Sequence, residues 1–245
     1  MIEVLCVGTA DAFGSGGRRQ SAYLVRTPSG TVLLDCGAST DIGLAVLAVE
    51  RDEIDAVILS HFHADHFGGI PLFLLAALHQ DSRRKPLRIA GPPRVEERVR
   101  QVAAALGHPL ERQDWSFPIR FQELSTQAEV ETGPVAVRTF PTRHSPDSHP
   151  LGIRIRAGAR SLAYSGDTGW FDELPARVHG ADLFLCECTQ VDGSYEFHLS
   201  LEGLARRRRE FDCGRHLLTH LGEEMRSRGG HDGFEVADDG LVIRL

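Results

Sequence analysis

Residues 59–69 read LSHFHADHFGG, and the stretch begins inside the apolar run AVILS of residues 56–60. His61 and His63 alternate, so in an extended segment they point the same way, while Asp65 and His66 fall in the turn beyond. Neutral imidazole and carboxylate together suit zinc or a similar first-row metal ion. A polar loop does not usually concentrate three histidines and one aspartate within six positions. We therefore predict two metal ions, one on each pair of side chains.

The overall composition is that of an ordinary soluble globular protein. The chain has 245 residues, of which 42% are hydrophobic and 25% charged. Its net charge of −7 gives no general basic field for polyanions, so nucleic-acid binding would need a local basic patch. The Arg run at 206–209 is a weak candidate, because consecutive residues splay around a helix. The N-terminus MIEVLCVGTA does not resemble a signal peptide, and no apolar run reaches the length of a membrane span.

The cysteines indicate a reduced, cytoplasmic protein rather than a disulfide framework. They are odd in number and lie mostly within apolar, strand-like stretches. Cys186 and Cys188 share one face of a predicted strand but have no two further ligands nearby, so we interpret them as core residues and not as a metal pair.

Short strand-like runs alternate with helical ones along the chain. Strands are predicted at 2–7, 21–26, 31–36, 56–60, 182–186 and 215–219, with several more across 119–164 and a closing β pair near 233–244. Helices are predicted at 40–50, 68–80, 94–106 and 199–211. Two runs of strands, each followed by helices, predict one α/β domain over residues 1–245 with four layers, the helices lying outside two sheets.

Four ligands cannot complete two catalytic metal sites, so others must come from elsewhere in the chain. Three candidates stand where apolar runs end: His144 after VAVRTFPTR, Asp167 after SLAYSG, and His220 after RHLLT. With these residues, the chain resembles the metallo-β-lactamase superfamily, whose motifs match in order across nearly its full length. The resemblance implies an αββα sandwich that binds two divalent ions, zinc above all, with manganese or iron also accepted by such ligands.

The resemblance also implies how the ligands are shared. The first ion would be held by His61, His63 and His144, and the second by Asp65, His66 and His220, with Asp167 bridging them. Lactamases of the superfamily usually depart from the second set, whereas this chain keeps it. Hydrolysis of a phosphodiester by a metal-activated hydroxide is therefore favoured over lactam opening.

Phosphodiester cleavage also needs a proton for the departing alkoxide, and Glu187 and His198 are the predicted source. A glutamate can bond one ring nitrogen of a histidine and leave the other to donate. Together with Thr189 and Ser200, the pair resembles the Glu-x-Thr and His-x-Ser/Thr signatures of the ribonuclease Z-like branch. The predicted catalytic residues are thus Asp65, Glu187 and His198. Alternatively, His198 only caps the following helix, although Ser200 could do so without it.

The segment between two of the motifs bears on the substrate. In ribonuclease Z an extended arm that grips transfer RNA is inserted between the motifs that match His144 and Asp167. Only 22 residues separate them here, which is enough for two strands and a turn. We therefore predict a phosphodiesterase for a small or cyclic nucleotide-like substrate, with homodimerisation as in related proteins without the arm.

Three alternatives stay open: a ribonuclease Z-type RNA 3′-end endonuclease, a glyoxalase II-like thioesterase or lactonase, and a non-catalytic binding module that has kept the fold. Among the remaining polar residues, Asp35 ends the strand TVLLD and is a candidate partner for a metal-bound histidine. His149 is a candidate for the pocket rim. We expect the five other histidines to be surface or structural residues: His79, His108, His179, His216 and His231.

Overall fold

The computed structural model describes residues 1–126 and 128–245. Its strands are β1 (Glu3–Gly8), β2 (Ala22–Thr27), β3 (Gly30–Leu34), β4 (Ile54–Ile58), β5 (Leu87–Gly91), β6 (Ile119–Glu123), β7 (Val130–Thr132), β8 (Val135–Pro141), β9 (Leu151–Ala157), β10 (Arg160–Tyr164), β11 (Leu183–Glu187), β12 (Arg215–Thr219), β13 (Glu235–Val236) and β14 (Val242–Arg244). Its helices are α1 (Thr40–Val46), α2 (Ala64–Phe67), α3 (Ile70–His79), α4 (Val95–Ala105), α5 (Leu174–Val178), α6 (Leu201–Arg207) and α7 (Glu223–Ser227).

The strands form two mixed sheets of seven strands each, in the orders β14-β1-β2-β3-β4-β5-β6 and β13-β12-β11-β10-β9-β8-β7. One apolar cluster lies between the sheets and takes side chains from both, such as Ile58 and Ile153. A second cluster packs α1, α3 and α4 on the outer face of the first sheet. A third packs α5, α6 and α7 on the outer face of the second. The four-layer αββα sandwich predicted from the sequence is confirmed.

Period-two alternation explains how a central strand can serve two layers. In β9, Ile153 and Ile155 belong to the core between the sheets, while Arg154 and Arg156 face outward. In β10, Leu162 faces the inner core and Ala163 the helices of the outer layer. The central strands β4 and β11 likewise alternate between two cores, whereas β9 supplies only the core between the sheets.

The six strands predicted singly agree with the structure to within two residues, whereas the helices predicted at 40–50 and 199–211 end earlier, at Val46 and Arg207. Strand β12 spans 215–219 as predicted, whereas β5 was not predicted. The predicted closing β pair was wrong, because β13 pairs in parallel with β12 in the second sheet and β14 pairs antiparallel with β1 in the first. These strands have two and three residues, too few for alternation to indicate which sheet they join.

Among the described residues, none of the helices is both long and apolar enough to cross a membrane.

The cysteines agree with the prediction of reduced core residues. All five carry free thiols, and four of them are buried. Cys186 and Cys188 pack in the cluster between the second sheet and its helices. Burial raises the pKa of the Cys186 thiol well above its ordinary value, so this group is an apolar side chain and not a reactive thiolate.

Candidate metal centre

The predicted ligands converge at one edge of the sandwich, where strands from both sheets end. His61, His63, Asp65 and His66 follow β4 of the first sheet, the last two on the short helix α2. In the second sheet His144 follows β8, Asp167 follows β10, and His220 directly follows β12. Strands β10, β11 and β12 run parallel, and β8 runs in the same direction because β9 is antiparallel to both β8 and β10. Their carboxyl ends therefore meet at a single site.

The seven side chains divide into two groups that share Asp167. Within each group, ligand atoms lie within 4.8 Å of one another, the groups being His61, His63, His144 with Asp167, and Asp65, His66, His220 with Asp167. The two oxygens of Asp167 face different groups. Its Oδ2 is 3.7 Å from His61 Nε2, and its Oδ1 is 3.2 Å from His66 Nε2. The division is the one that the family resemblance implied, with Asp167 between the groups.

The donor atoms fit divalent ions. Ligand atoms of a tetrahedral zinc site lie roughly 3.4 Å apart, given bonds of 2.0–2.2 Å. His220 Nε2 is 3.2 Å from Asp65 Oδ2 and 3.4 Å from Asp167 Oδ1. Buried His61 Nε2, His66 Nε2 and Asp167 Oδ1 have no hydrogen-bond partner in the described part of the chain. Because buried polar atoms are rarely left without a partner, these atoms point to a cation as their missing partner.

A shell of hydrogen bonds orients three of the imidazoles, so that their Nε2 atoms face the centre. His61 Nδ1 lies 3.0 Å from Ser60 Oγ, and His220 Nδ1 lies 2.8 Å from Thr189 Oγ1. His144 Nδ1 donates to the carbonyl oxygen of Phe197 at 3.0 Å. Fixing Nδ1 as the protonated nitrogen leaves Nε2 with its lone pair for a metal ion. Burial also lowers the pKa of His61 well below its ordinary value, which favours the neutral form that binds metals.

Asp35 anchors His66 to the core. Its carboxylate lies 2.7 Å from His66 Nδ1 and also accepts from Tyr164 Oη at 2.7 Å, from Ser60 N at 2.7 Å and from Ser60 Oγ at 2.8 Å. Asp35 is fully buried and has a left-handed backbone with φ of 57°. The structure thus places the predicted partner of a ligand histidine against His66. Its contact with Tyr164, 129 residues away, was not predicted and has no local sequence signal.

Glu187 and His198 lie beside the metal-ligand cluster and contact each other. His198 Nδ1 donates to Glu187 Oε1 at 2.8 Å, and the glutamate is fully buried. Thr168 N also donates to Glu187 Oε1, at 2.9 Å, which fixes the carboxylate. Burial opposes the charged form of His198, but the charge and hydrogen bond of Glu187 outweigh it and raise the pKa of His198 to about 9. The His198 ring centroid is 5.1 Å from that of His144 and 5.5 Å from that of His220.

The alternative role of His198 as a helix cap is not needed. Helix α6 begins at Leu201, and its N-cap is Ser200, whose Oγ accepts from Gly203 N at 3.2 Å. This side chain satisfies the first turn of the helix without any contribution from His198.

Of the other candidates, the Arg run agrees with its prediction and His216 does not, while the rim position of His149 stays a prediction. His149 packs against Phe62, with ring centroids 6.1 Å apart. The Arg run splays as predicted, since Arg207 stacks on Trp170 while Arg208 covers Phe234. His216 is neither a surface residue nor fully satisfied, because it lies among phenylalanines with its buried Nε2 unpartnered in the described residues.

Comparison with known proteins places this fold and site in a family. Residues 31–221 match the family model described as a β-lactamase superfamily domain. The chain belongs to this superfamily, as its motifs predicted. The comparison bears out a metal-dependent hydrolase as the enzyme class.

The proteins that resemble this chain include enzymes named ribonuclease Z and a diphosphatase. A ribonuclease Z of Mycobacterium sp. (strain KMS) is 28% identical over 239 residues, which cover 90% of this chain and 84% of the relative. The structure of the short form of human tRNase Z aligns with a TM-score of 0.78 at 22% identity, over 99% of this chain and 98% of that one. A diphosphatase of the PhnP family aligns with a TM-score of 0.80 at 15% identity, over 100% of this chain and 98% of that one.

Proposed function

We propose that this protein is a dinuclear metal-dependent phosphodiesterase that acts on a small or cyclic nucleotide-like substrate. The relatives agree with the coarser class, since they include proteins named ribonuclease Z and a diphosphatase. The observation that carries the proposal is the contact between Glu187 and His198 beside the two ligand groups. A proton donor at this place serves a leaving alkoxide, which a phosphodiester has. A thioester has less need of one, because a thiolate leaves without protonation.

The metal ligands would be the seven side chains of the two groups, with zinc as the expected ion and manganese or iron as alternatives. When bound, the two ions would acidify a water molecule and neutralise charge that develops on the phosphoryl oxygens. Asp65 belongs to the second group, and its carboxylate would hold the ion together with His220 Nε2, which lies 3.2 Å away.

The chain's own acid would be His198. Glu187 holds its Nδ1 and stabilises the imidazolium, so Nε2 is the atom left to donate a proton to the departing oxygen. His198 is half-buried, whereas Glu187 is fully buried, so the acid can reach a substrate that its partner cannot.

The short connection between His144 and Asp167 supports the small substrate over folded transfer RNA. This segment forms β9 and β10, joined by a two-residue turn at 158–159. The rest of it is a 3-10 turn at Pro146–Ser148 and short connections, so these described residues offer no arm. A ribonuclease Z-type endonuclease remains the second candidate, favoured by the names of the relatives.

The test is hydrolysis by the purified protein loaded with zinc or manganese. We expect it to cleave bis(p-nitrophenyl) phosphate, and we expect His198→Ala to slow a substrate with a sugar alkoxide leaving group about 100-fold more than this activated one, because p-nitrophenolate leaves without a proton. The exposed His108 provides the matched control, and His108→Ala should leave both rates unchanged. Hydrolysis of thioesters or lactones without turnover of any phosphodiester would overturn the substrate class.

Other parts of the sequence prediction stay predictions. They are the single domain over residues 1–245, the cytoplasmic location and the homodimer. For the homodimer, the exposed apolar side chains Ile42 and Val46 of α1 and Leu72 of α3 form a candidate contact surface. Light scattering of the purified protein tests it directly.

A further inference from the structure

A cavity of about 240 Å³ lies directly beside His198. Of the described residues that line it, none is among the seven predicted metal ligands. The His198 ring is stacked on His220 at 5.5 Å and also contacts the ring of Tyr195 at 5.5 Å, and Tyr195 lines the cavity. The imidazole of the proposed acid therefore forms the partition between the metal-ligand cluster and this cavity.

Tyr195 gives the cavity an aromatic platform that is held in place. Its backbone is fixed by Gln190, whose side chain donates to Tyr195 O at 2.6 Å and accepts from Tyr195 N at 3.0 Å. Its ring packs edge-on against Phe197 at 5.6 Å, yet 53% of the residue is exposed. An exposed aromatic ring on a fixed backbone, next to a catalytic group, is suited to stacking with a planar ligand.

Other residues that line the cavity add cations to this aromatic surface. Arg207 lies 4.5 Å above the ring of Trp170, and both residues line the cavity together with Arg206 and Arg143. Arg143 is paired with Glu196, which also lines the cavity. Tyr195 is the exposed ring and Trp170 is half-buried beneath Arg207. Aromatic rings beside guanidinium groups are a combination that binds a nucleobase and an adjacent phosphate.

The size of the cavity limits what can enter. Its volume is below the range of about 300–1,000 Å³ that is usual for drug-sized ligands. The cavity thus has room for one base with part of its sugar.

We infer that this cavity binds the nucleobase of the leaving nucleoside, which makes an acyclic dinucleotide or short oligonucleotide the substrate. The inference rests on the proposed function. In the reaction, the oxygen of a water molecule bonds to phosphorus, and the bond from phosphorus to the leaving oxygen breaks. The leaving oxygen takes a proton from His198. A proton released by the water then restores the protonated His198. The leaving oxygen must therefore face His198, and the group attached to it extends into the cavity on that side. A cyclic nucleotide has no separate leaving nucleoside and would not use this cavity.

The experiment compares two substrates with the same leaving-group chemistry. One is a dinucleotide, and the other is the same molecule with an abasic sugar on the leaving side. The zinc-loaded protein should cleave the intact dinucleotide with a kcat/KM about 10-fold or more above that of the abasic one, as expected for one stacked base. Tyr195→Ala should bring the ratio of the two kcat/KM values close to one, whereas Tyr195→Phe should keep it. Leu106→Ala is the control, because Leu106 is a similarly exposed residue at the far end of α4.

The outcomes separate this inference from the proposed function. Equal cleavage of both substrates by the unchanged protein would overturn the cavity inference and leave the phosphodiesterase intact. A ratio that survives Tyr195→Ala would also overturn it. Failure to cleave either dinucleotide or bis(p-nitrophenyl) phosphate would refute the proposed function itself.

Discussion

Asp35→Asn exchanges one oxygen of a fully buried carboxylate for an NH₂ group and keeps the size of the side chain. One oxygen of Asp35 accepts from Ser60 N at 2.7 Å. The other accepts from Ser60 Oγ, His66 Nδ1 and Tyr164 Oη at 2.8, 2.7 and 2.7 Å. In either orientation of the amide, at least one buried donor then faces a second donor.

The expected cost follows from this arrangement. A buried donor left without an acceptor costs about 1–3 kcal/mol, so the free energy of unfolding of the metal-free protein should fall by at least about 1 kcal/mol. The amide orientation that keeps the three contacts of the second oxygen loses only the Ser60 N bond and gives this lower value. Because His66 loses a charged partner in either case, zinc affinity should fall by about 10- to 100-fold.

Urea unfolding measures the first effect, and competition with a chromophoric chelator for zinc measures the second. Asp182 provides the matched control, since it accepts from Ser161 N at 2.8 Å and directly precedes β11, whose other end lies at the site. Asp182→Asn should cost some stability and leave zinc affinity unchanged. If Asp35→Asn folds and binds zinc within twofold of the unchanged protein, Asp35 does not hold His66 in place for the metal ion.

Three further changes test other parts of the structure. Gly169→Ala should lower activity more than about 10-fold with little loss of metal. A Cβ at this position would lie 1.8 Å from Glu196 O, so it must displace the loop that carries His198, the proposed acid. Enzyme kinetics together with metal analysis checks this prediction. Burial, assisted by a nearby arginine, lowers the pKa of His216 to about 4, so the folded state resists its protonation. Stability should therefore fall by up to about 3 kcal/mol as pH drops from 6.5 to 4, and His216→Phe should remove this part of the dependence in unfolding curves. Ser200→Ala removes the N-cap of α6, so it should lower the free energy of unfolding by about 1 kcal/mol, as measured by thermal unfolding. The hydrogen bond between Glu187 and His198 should persist in this variant.

The sequence was sufficient to predict those features that depend on residues close together in the chain. The motif His61 to His66 and the three residues at later strand ends are each marked by an apolar run that stops at a polar residue, and such runs indicate both the strand and the place of the site. The αββα layers follow from the same runs, because alternating strands and helices allow few packings.

What the sequence could not indicate depends on pairing between distant residues. Tyr164 meets Asp35 through the packing of two sheets, and nothing near either residue indicates the other. Strands β13 and β14 are too short to reveal their sheets, and only the fold shows that they lie at the edges of different ones. The cavity beside His198 is likewise formed by a loop, by the stretch after Asp167 and by α6, so Tyr195 carries no motif of its own.

The division of the ligands between the two sheets has a mechanical consequence. Four of them follow a strand of the first sheet, and three follow strands of the second, so each ligand group draws on both halves of the sandwich. An ion in either group would therefore act as a cross-link between the two sheets at the edge where their strands end. Bound metal would then raise the free energy of unfolding of the whole sandwich. Removal of the ions would allow local unfolding at this edge before the apolar core between the sheets unfolds.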